Sequence, residues 1–386
     1  MAADTIHDEL QAIKQASLYR RLRLVENDQG PTLMLDGREV INFSSNNYLG
    51  IANHPELAAA AKEAIDRYGC GSGASRLISG NMTLHEELEN RLAAFKGTEA
   101  ALVLNSGFQA NTGILSTLTG EGDAILSDAL NHASIIDGCR LSRAKTIVYA
   151  HGDLDQLEDG LKQVTNARRK LIVTESIFSM DGDESPLIAI VELAEKYDAM
   201  VMVDEAHATG IFGTNGAGVV AKLGLGERVA VQMGTLGKAL GGFGAYVAGS
   251  RTVRELLINR CRSFIFTTSL PPAIMAMAMA AINLVEREPG RREALWNNCR
   301  MLKEGLRELG FTPGANDSPI LPLIIGDAGK CMQFSERLLA QGIFAQGIRP
   351  PTVPPGTSRL RITLMSTHTR EHIDRALKVF RDVKGP

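Results

Sequence analysis

Met200-Val-Met-Val-Asp204-Glu-Ala-His207 is a strand-length apolar run that ends abruptly in a carboxylate and an imidazole. Similar runs recur between residues 100 and 250, and most are separated by stretches with helical periodicity. Runs that are apolar on both faces and alternate with helices are typical of a mostly parallel sheet covered by helices. The pattern therefore predicts an α/β fold whose central strands are Ala101–Asn105, Ala124–Ser127, Thr146–Tyr149, Leu171–Thr174, Met200–Asp204, Val229–Met233 and Ala245–Ala248.

The N-terminal segment has a different character from this region. Residues 1–24 have the pattern of an amphipathic helix with a basic end. A short strand pair follows, Thr32–Leu35 and Val40–Phe43, and Asp36-Gly37 between the two strands favours the tight turn of a β-hairpin. We therefore expect an N-terminal part that consists of a helix and a strand pair over residues 1–45.

The C-terminal part begins where the regular alternation stops, near residue 280. A long charged helix is predicted over Arg291–Leu309. The strand candidates after it are Leu321–Ile325, Ile343–Ala345 and Arg359–Leu364. These features predict a large domain over residues 46–280 and a smaller C-terminal α/β domain over residues 281–386.

Composition excludes several classes of protein. A net charge of −3 over 386 residues provides no field that would draw the chain to nucleic acid or to an anionic membrane. The five cysteines are spread singly, which argues against a disulfide framework or a zinc site and fits a reducing compartment. The N-terminus lacks the apolar core of a signal peptide, and the apolar stretch Pro271–Val285 is too short to span a bilayer comfortably. We expect a cytoplasmic protein without a metal.

Polar and ionisable residues follow almost every predicted strand of the large domain. Ligands of open α/β sheets bind beyond the carboxyl ends of the strands, so this edge is the expected site. A purely structural sheet would not require such residues there. The residues at this edge are Ser106-Gly107-Phe108, Asp128 with Asn131-His132, Glu175 to Ser179, Asp204 with His207, and Thr235 with Lys238.

Asp204 and Lys238 are the candidates for the central chemistry. A carboxylate beside a pyridine nitrogen keeps that nitrogen protonated, and a protonated ring is the electron sink that pyridoxal 5′-phosphate (PLP) chemistry requires. Lys238 lies in a glycine-rich turn between apolar segments, where desolvation would make its amine a candidate for a Schiff base. Each residue also has an ordinary alternative, because a strand-end Asp can cap a helix and a loop lysine can simply be solvated.

Two further motifs fit the same cofactor. Ser106-Gly107-Phe108 follows a strand and opens a helix, so its backbone N–H groups are suited to a phosphate, and the hydroxyl of Thr235 could join them. His132 supplies an imidazole that could stack on a planar ring, although a lone histidine is more often structural. The order of phosphate cradle, stacking His, strand-end Asp and later Lys matches PLP enzymes of fold type I.

The motifs together resemble those of the α-oxoamine synthases over residues 15–382. That resemblance implies a PLP enzyme of fold type I, similar to aspartate aminotransferase, that condenses an amino acid with an acyl thioester and releases CO₂. It also implies a homodimer with active sites at the subunit interface. The matching segments are Ser44–Gly50, Gly71–Arg76, Leu130–Ser134, Phe178–Gly182 and Thr235–Lys238.

The resemblance implies a role for each matching residue of the cofactor site. Lys238 would hold PLP as a Schiff base and move the α-proton of the amino acid, and His132 would stack on the ring. Asp204 would pair with the pyridinium nitrogen, and His207 and Ser179 would reach the phenolic oxygen. The residues that would form or adjoin the phosphate site are Ser106, Gly107, Phe108 and Thr235.

The resemblance also implies a substrate site. The stretch Ile348–Pro354 is most similar to the family members that join L-alanine to a pimeloyl thioester in biotin synthesis, with CoA or a carrier protein as the leaving group. Members that join glycine to an acetyl thioester are the alternative, which Asn131–Leu141 and Gly234–Gly242 favour. The expected substrate contacts are His132, Asn47, Arg349 as the carboxylate clamp, Thr352, Arg361 and an N-terminal arginine, Arg20 by motif or Arg21 by ungapped counting.

Two other classes of protein compete with this interpretation. Asp204-Glu205-Ala206-His207 spells a DEAH box, but an NTP-driven helicase also needs a P-loop. Neither Gly237-Lys238 nor Gly329-Lys330 is followed by Ser or Thr, and the sequence has no basic patch for nucleic acid. A catalytically silent scaffold of the same fold is the second alternative. ATP hydrolysis stimulated by single-stranded nucleic acid would support the first alternative, and a yellow protein with a cofactor that borohydride fixes to one lysine would exclude the second.

Overall fold

The computed structural model describes residues 2–16 and 18–384, which fold into two compact units. Unit 1 comprises Met1–Gly50, Met180–Asp183 and Arg291–Pro386, and unit 2 comprises Ile51–Ser179 and Glu184–Gly290. Within the described residues the helices are α1 (Ala2–Gln15), α2 (Pro55–Tyr68), α3 (Thr83–Lys96), α4 (Gly107–Leu118), α5 (Ala133–Ser142), α6 (Leu154–Lys162), α7 (Leu187–Lys196), α8 (Val219–Lys222), α9 (Arg251–Arg260), α10 (Arg262–Ile265), α11 (Pro272–Arg287), α12 (Gly290–Glu308), α13 (Ala328–Ala340) and α14 (Arg370–Lys384).

The strands form three sheets in the described part of the chain. One sheet of seven strands belongs to unit 2, and two sheets of three strands belong to unit 1. The strands are β1 (Thr32–Leu35), β2 (Arg38–Asn42), β3 (Ala100–Leu104), β4 (Ala124–Asp128), β5 (Lys145–Tyr149), β6 (Lys170–Glu175), β7 (Met200–Asp204), β8 (Val231–Thr235), β9 (Ala245–Gly249), β10 (Ile320–Gly326), β11 (Ile343–Phe344), β12 (Gln346–Ile348) and β13 (Ser358–Thr363).

The seven-stranded sheet of unit 2 has the order β3-β9-β8-β7-β6-β4-β5. Neighbouring strands from β8 to β5 run parallel, and β9 runs antiparallel to both of its neighbours. Strands β3 and β4 are fully buried, and β3, β4 and β7 are apolar on both faces up to the polar residues that end β4 and β7, as a sheet covered by helices requires. This arrangement confirms the predicted α/β class with a mostly parallel central sheet.

The register of the sheet brings several strand ends to one edge. Glu175 at the end of β6 is the direct partner of Asp204 at the end of β7. Two helices then begin just beyond this edge. Ser106 caps α4 by accepting a hydrogen bond from Gln109 N at 3.2 Å, and His132 caps α5 by accepting one from Ser134 N at 3.2 Å. The sheet thereby positions two helix N-termini at the edge where ligands bind.

Unit 1 is assembled from segments that are far apart in the sequence. Strands β1 and β2 form a hairpin whose turn residues Asp36 and Gly37 have φ values of 50° and 74°, which is the left-handed pair that a tight hairpin turn requires. Strand β2 pairs in parallel with β11, more than 300 residues later. The second sheet has the order β10-β13-β12 and is antiparallel. This pairing groups the N-terminal segment with residues after 290, whereas the sequence suggested separate parts over 1–45 and 281–386.

The predicted N-terminal helix over residues 1–24 is wrong in its second half. Helix α1 ends at Gln15, and Val25 forms a β-bridge with Leu35. Leu24 N donates to Asp36 Oδ1 at 2.9 Å, and Asp36 N donates to Leu24 O at 2.8 Å. Hydrogen bonds to the hairpin therefore replace those that a longer helix would have made.

In the described residues, no helix combines the length and the apolar character needed to cross a bilayer.

Candidate active site

Asp204 is held at the carboxyl edge of the sheet in unit 2. The residue is only 5% exposed, and the two oxygens of its carboxylate accept hydrogen bonds from different donors. Asn111 Nδ2 donates to Oδ2 at 2.8 Å, and Ala206 N donates to Oδ1 at 2.8 Å. No α-helix begins in residues 205–212, so Asp204 does not act as a helix cap. A buried carboxylate with two fixed donors is suited to pair with a cationic ring nitrogen.

His132 lies close to Asp204 through a chain of hydrogen bonds. Asn111 Nδ2, which binds Asp204, also donates to Ser134 Oγ at 2.9 Å, and Ser134 Oγ lies 2.7 Å from His132 Nδ1. Burial lowers the pKa of His132 below its ordinary 6.5, Asp204 opposes the shift and Lys238 adds to it. The imidazole is therefore neutral near pH 7, which suits a ring that stacks on another ring.

The N-terminus of α4 and the end of β8 meet closely. A Cβ added to Gly107 would lie 2.8 Å from Thr235 Cγ2, so only glycine fits without a shift. Thr235 Oγ1 is buried, and none of the described residues provides it with a hydrogen-bond partner. An unsatisfied hydroxyl beside a helix N-terminus is suited to bind a phosphate, because the hydroxyl and the backbone N–H groups of the helix can all donate hydrogen bonds to the anion. Phe108, in the first turn of α4, is 49% exposed.

Lys238 lies in the turn after β8 and is half-buried. Gly241 N donates to Lys238 O at 2.9 Å and closes the turn. Gly241 has φ of 65°, and a Cβ there would lie 2.7 Å from Ala52 N, so the turn depends on this glycine. The charge of Lys238 acts on both His132 and Glu175, which places its amine within electrostatic range of the strand ends.

Glu175 is a residue of this site to which the sequence analysis assigned no role. It is 3% exposed, and its Oε1 accepts a hydrogen bond from His132 N at 2.6 Å. The backbone N–H of Ser179 also donates to its carboxyl group. Burial raises the pKa of Glu175 well above 4.5, and the charge of Asp204 adds to the increase. The carboxyl group of Glu175 thereby links His132 to the half-buried Ser179. His207, the other predicted contact of the phenolic oxygen, lies buried three residues after Asp204.

Sequence patterns could have revealed Asn111 and Glu175, two residues of this site for which no role was predicted from the sequence. Asn111 is a polar residue on the buried face of α4, between Ala110 and Ile114, where an apolar side chain is the norm. Glu175 ends an otherwise apolar strand, as Asp204 does. Both residues break a hydrophobic pattern, and such breaks are expected at functional sites.

Of the predicted substrate residues, His132 lies in unit 2 and the others lie in unit 1, where Arg349 and Arg20 are neighbours. Arg349 is 7% exposed, its Nη2 donates to Tyr19 O at 2.5 Å, and its buried Nε finds no partner in the described part of the chain. Arg20 Nη2 donates to Pro350 O at 3.3 Å. Burial lowers the pKa of Arg349, and the charge of Arg20 lowers it further. Two adjacent guanidinium groups with unused donors are suited to a carboxylate.

The remaining substrate candidates have different environments within unit 1. Thr352 is exposed and lines the same cleft as Arg349 and the alternative N-terminal arginine, Arg21. Arg361 is buried on β13, where its guanidinium donates to Asn46 Oδ1 at 3.2 Å and to Tyr48 Oη at 3.4 Å. Asn47 Nδ2 donates to Gln29 O at 3.4 Å. The structure thus brings Arg20, Arg349 and Thr352 together, while Arg361 and Asn47 bond to other parts of unit 1.

Comparison with known proteins identifies the family. The family model for class I and II aminotransferases matches residues 38–380. The chain belongs to the class I and II aminotransferase family. Within this aminotransferase family, the chain is 53% identical over 375 residues to 8-amino-7-oxononanoate synthase of Geobacter sulfurreducens, with 97% of this chain and 96% of the relative covered. It is also 53% identical to the enzyme of the same name from Symbiobacterium thermophilum, over 98% of this chain and 97% of the relative.

Solved structures of this aminotransferase family agree with the assignment. A serine palmitoyltransferase from S. paucimobilis with a bound PLP–myriocin aldimine has a TM-score of 0.93 and 35% identity over 98% of this chain and 96% of that chain. An 8-amino-7-oxononanoate synthase from Francisella tularensis has a TM-score of 0.76 and 30% identity over 89% of this chain and 97% of that chain. The curated relatives and the fold confirm the predicted resemblance to the α-oxoamine synthases.

Proposed function

We propose that this protein is a PLP-dependent 8-amino-7-oxononanoate synthase of biotin synthesis. The reaction joins the α-carbon of L-alanine to the carbonyl carbon of a pimeloyl thioester. The thiol leaves, the alanine carboxylate departs as CO₂, and 8-amino-7-oxononanoate remains. The observation that carries the PLP chemistry is the grouping of Asp204, His132 and Lys238 beside a phosphate cradle in unit 2, and the relatives named 8-amino-7-oxononanoate synthase support the choice of substrates.

The residues of unit 2 fit PLP group by group. The Thr235 hydroxyl without a partner and the close approach at Gly107 are suited to the phosphate. Asp204 would hold a proton on the ring nitrogen, and the neutral imidazole of His132 would lie against the ring face. When bound, PLP supplies an electron sink that stabilises negative charge at the α-carbon of the amino acid.

The chain itself supplies the proton transfers and the orientation of the substrate. The Lys238 amine would bind the cofactor at rest and, once displaced by alanine, would remove the α-proton and later return one. Hydrogen bonds from Ser179 and His207 to the phenolic oxygen would hold the ring in place. Arg349, supported by Arg20, would bind a substrate carboxylate through its guanidinium. Thr352, Arg361 and Asn47 are proposed as further substrate contacts.

A matrix of substrates tests the proposed reaction. Purified enzyme would be assayed for release of free thiol and of CO₂ with each amino acid, alanine or glycine, paired with each thioester, pimeloyl or acetyl. The proposal predicts the highest kcat/KM for alanine with the pimeloyl thioester. Preference for glycine with the acetyl thioester would assign the chain to the alternative activity. Parallel use of CoA and carrier-protein thioesters would identify the natural leaving group.

Two wider features belong to the same proposal. We propose that the enzyme is a homodimer with active sites at the subunit interface and that it works in the cytoplasm. The family resemblance supports the dimer, and the singly spaced cysteines support a reducing compartment. Light scattering coupled to size-exclusion chromatography tests the dimer, since a chain of 41.6 kDa would give twice that mass. A monomeric mass in fully active enzyme would contradict it.

A further inference from the structure

Glu205 and Lys96 form a fully buried ion pair in unit 2. Both side chains are 0% exposed, and Lys96 Nζ contacts both Glu205 Oε2 and the backbone oxygen of Ala217. Glu205 lies between Asp204 and His207, in the stretch that also spells a DEAH box. The proposed reaction gives it no role. A buried carboxylate and a buried ammonium group therefore need an explanation.

Every polar group of Glu205 is bonded. Its N–H donates to Met233 O at 2.7 Å, and its backbone oxygen accepts from Thr209 N at 2.8 Å. Val220 N donates to Oε1 at 3.0 Å. A Cβ added to Gly218 would lie 2.5 Å from Oε2, so the carboxylate fills its space completely. The backbone of the segment that carries Asp204 and His207 is therefore tied down at Glu205 by bonds on both its main chain and its side chain.

The pair also reaches the strand that leads to Lys238. Thr209 Oγ1, which donates to Glu205 O at 3.0 Å, lies 2.8 Å from Tyr246 Oη, and Tyr246 also hydrogen-bonds to Lys96. A Cβ added to Gly234 would lie 2.4 Å from Tyr246 Oη, so the tyrosine packs directly against β8 next to Thr235. One cluster, formed by Lys96, Glu205, Thr209 and Tyr246, thus lies against both segments that carry cofactor residues.

Stability alone does not account for such a pair. Removing two charges from water is expensive, and apolar residues of similar volume often stabilise a core as well or better. A buried pair that has all its partners instead fixes one geometry, because any displacement leaves a charge without compensation. The position of the pair, one residue beyond Asp204, is where such rigidity would matter for a cofactor.

We propose that the Lys96–Glu205 pair is a positioning pair that holds Asp204 and His207 at the pyridine ring of the bound cofactor. It contacts neither the cofactor nor the substrate and acts through the backbone of residues 204–209. This inference rests on the proposed function, since it assumes that Asp204 and His207 face PLP. Its consequence is that the pair controls cofactor affinity and the protonation of the cofactor–lysine linkage beyond its effect on folding.

The test separates stability from positioning with single and double variants. Lys96→Met and Glu205→Gln alone would lower the melting temperature of the apo-protein, because each leaves the other group buried without its partner. The double variant would regain most of that loss. In the double variant the Kd for PLP would still rise by about tenfold or more, as is typical when a group that orients a ligand residue is removed. The pH midpoint of the visible absorption of bound PLP would also shift.

The exposed pair Arg228–Glu195, bonded at 2.7 Å in the same unit, provides a matched control. Arg228→Met with Glu195→Gln removes the same charges and would leave the Kd and the absorption midpoint unchanged. A stable double variant of Lys96 and Glu205 with the wild-type Kd and midpoint would overturn the inference. A different result would contradict the proposed function itself, namely wild-type protein that does not bind PLP at Lys238.

Tyr246→Phe provides a second variant in case the buried pair cannot be replaced without loss of folding. It removes only the hydroxyl that bonds Thr209 and Lys96, and it keeps the ring that packs against Gly234. We expect a raised Kd for PLP and a shifted absorption midpoint in folded protein. Wild-type values of both quantities in this variant would also overturn the inference.

Discussion

At the scale of single residues, Asp204 and Glu205 show how neighbouring carboxylates acquire different partners. Asp204 is bonded to a neutral amide, Asn111, so its charge remains available for a cationic partner. The charge of Glu205 is already neutralised by Lys96. The sequence distinguishes the two only weakly, because both are acidic residues at the end of one apolar strand. Their partners come from α3 and α4, which lie about 90 to 110 residues earlier in the chain.

Replacement of Lys238 by alanine should abolish turnover and leave the fold intact. The amine is the proposed site of covalent attachment and of proton transfer, and the half-buried side chain contributes little to the core. Borohydride treatment followed by peptide mass spectrometry would find the cofactor on Lys238 in the wild type and on no lysine in the variant. Lys62→Ala, at an exposed position of α2, is the control and should keep full activity. Full activity of Lys238→Ala would refute the assignment.

His368 should make unit 1 less stable in acid. Burial lowers its pKa to about 3, and its ring bonds to Met365 N and Asn42 O, each at 3.0 Å. Since the unfolded chain binds a proton near pH 6.5 and the fold does not, stability is complete above that pH and falls as the pH drops toward 3. Between pH 7.5 and 5 the loss from this group would be about 2 kcal/mol.

Urea denaturation at the two pH values measures this effect of His368. The variant His368→Gln should be less stable than the wild type at pH 7.5 but should lose about 2 kcal/mol less on acidification. His7→Gln, at an exposed position of α1, should follow the wild type at both pH values. An equal loss in the His368 variant and the wild type would show that another group causes the acid sensitivity.

At the scale of elements, the N-terminus of α4 depends on the absence of a side chain at Gly107. In Gly107→Ala, the new Cβ would press on Thr235 and move the hydroxyl away from the phosphate position. A hydrogen bond to a charged group contributes about 1.5–3 kcal/mol, so the Kd for PLP should rise by about tenfold or more. Fluorescence titration of apo-protein measures it. Gly120→Ala, where the nearest atom lies at 3.8 Å, should bind PLP as the wild type does.

Element prediction from the sequence was reliable where local and tertiary preferences agree. Strands such as β4 and β7 are apolar on both faces and are predicted to within a residue, because burial in a parallel sheet demands that pattern. The predicted helix over 1–24 fails after Gln15 because Leu24 bonds to the hairpin residue Asp36 instead. The basic amphipathic pattern of that segment carries no information about this partner.

At the scale of the whole molecule, cofactor binding should dominate thermal stability. A ligand that binds only the folded state stabilises it by about 2.7 kcal/mol at a concentration of 100 times its Kd. For a unit of this size that corresponds to a rise in melting temperature of about 5–10 °C. Differential scanning fluorimetry of apo-protein over a PLP concentration series measures the rise. A melting temperature independent of PLP would contradict the cofactor assignment, and Asp204→Asn should show a smaller rise than the wild type.

The division of the chain into units could not be found from contiguous stretches of sequence. Unit 1 contains residues from three separate segments, including the four residues Met180–Asp183 between β6 and α7. Asp181 in that insert forms an ion pair with Arg359. Such long-range pairing leaves no periodic pattern in the local sequence, so a change of composition near residue 280 indicates only part of the boundary.

Local patterns alone were sufficient for the α/β class and for most strand positions, and they indicated Lys238, Asp204 and His132 as candidates for the chemistry, because apolar periodicity and strand-end polar groups are properties of short segments. Tertiary structure alone revealed the partners of Asn111 and Glu175 and the pairing of Lys96 with Glu205. The physical reason is that a hydrogen bond or a buried ion pair depends on distance in space. The sheet brings together residues that the chain keeps far apart, and this proximity decides which polar group has which partner.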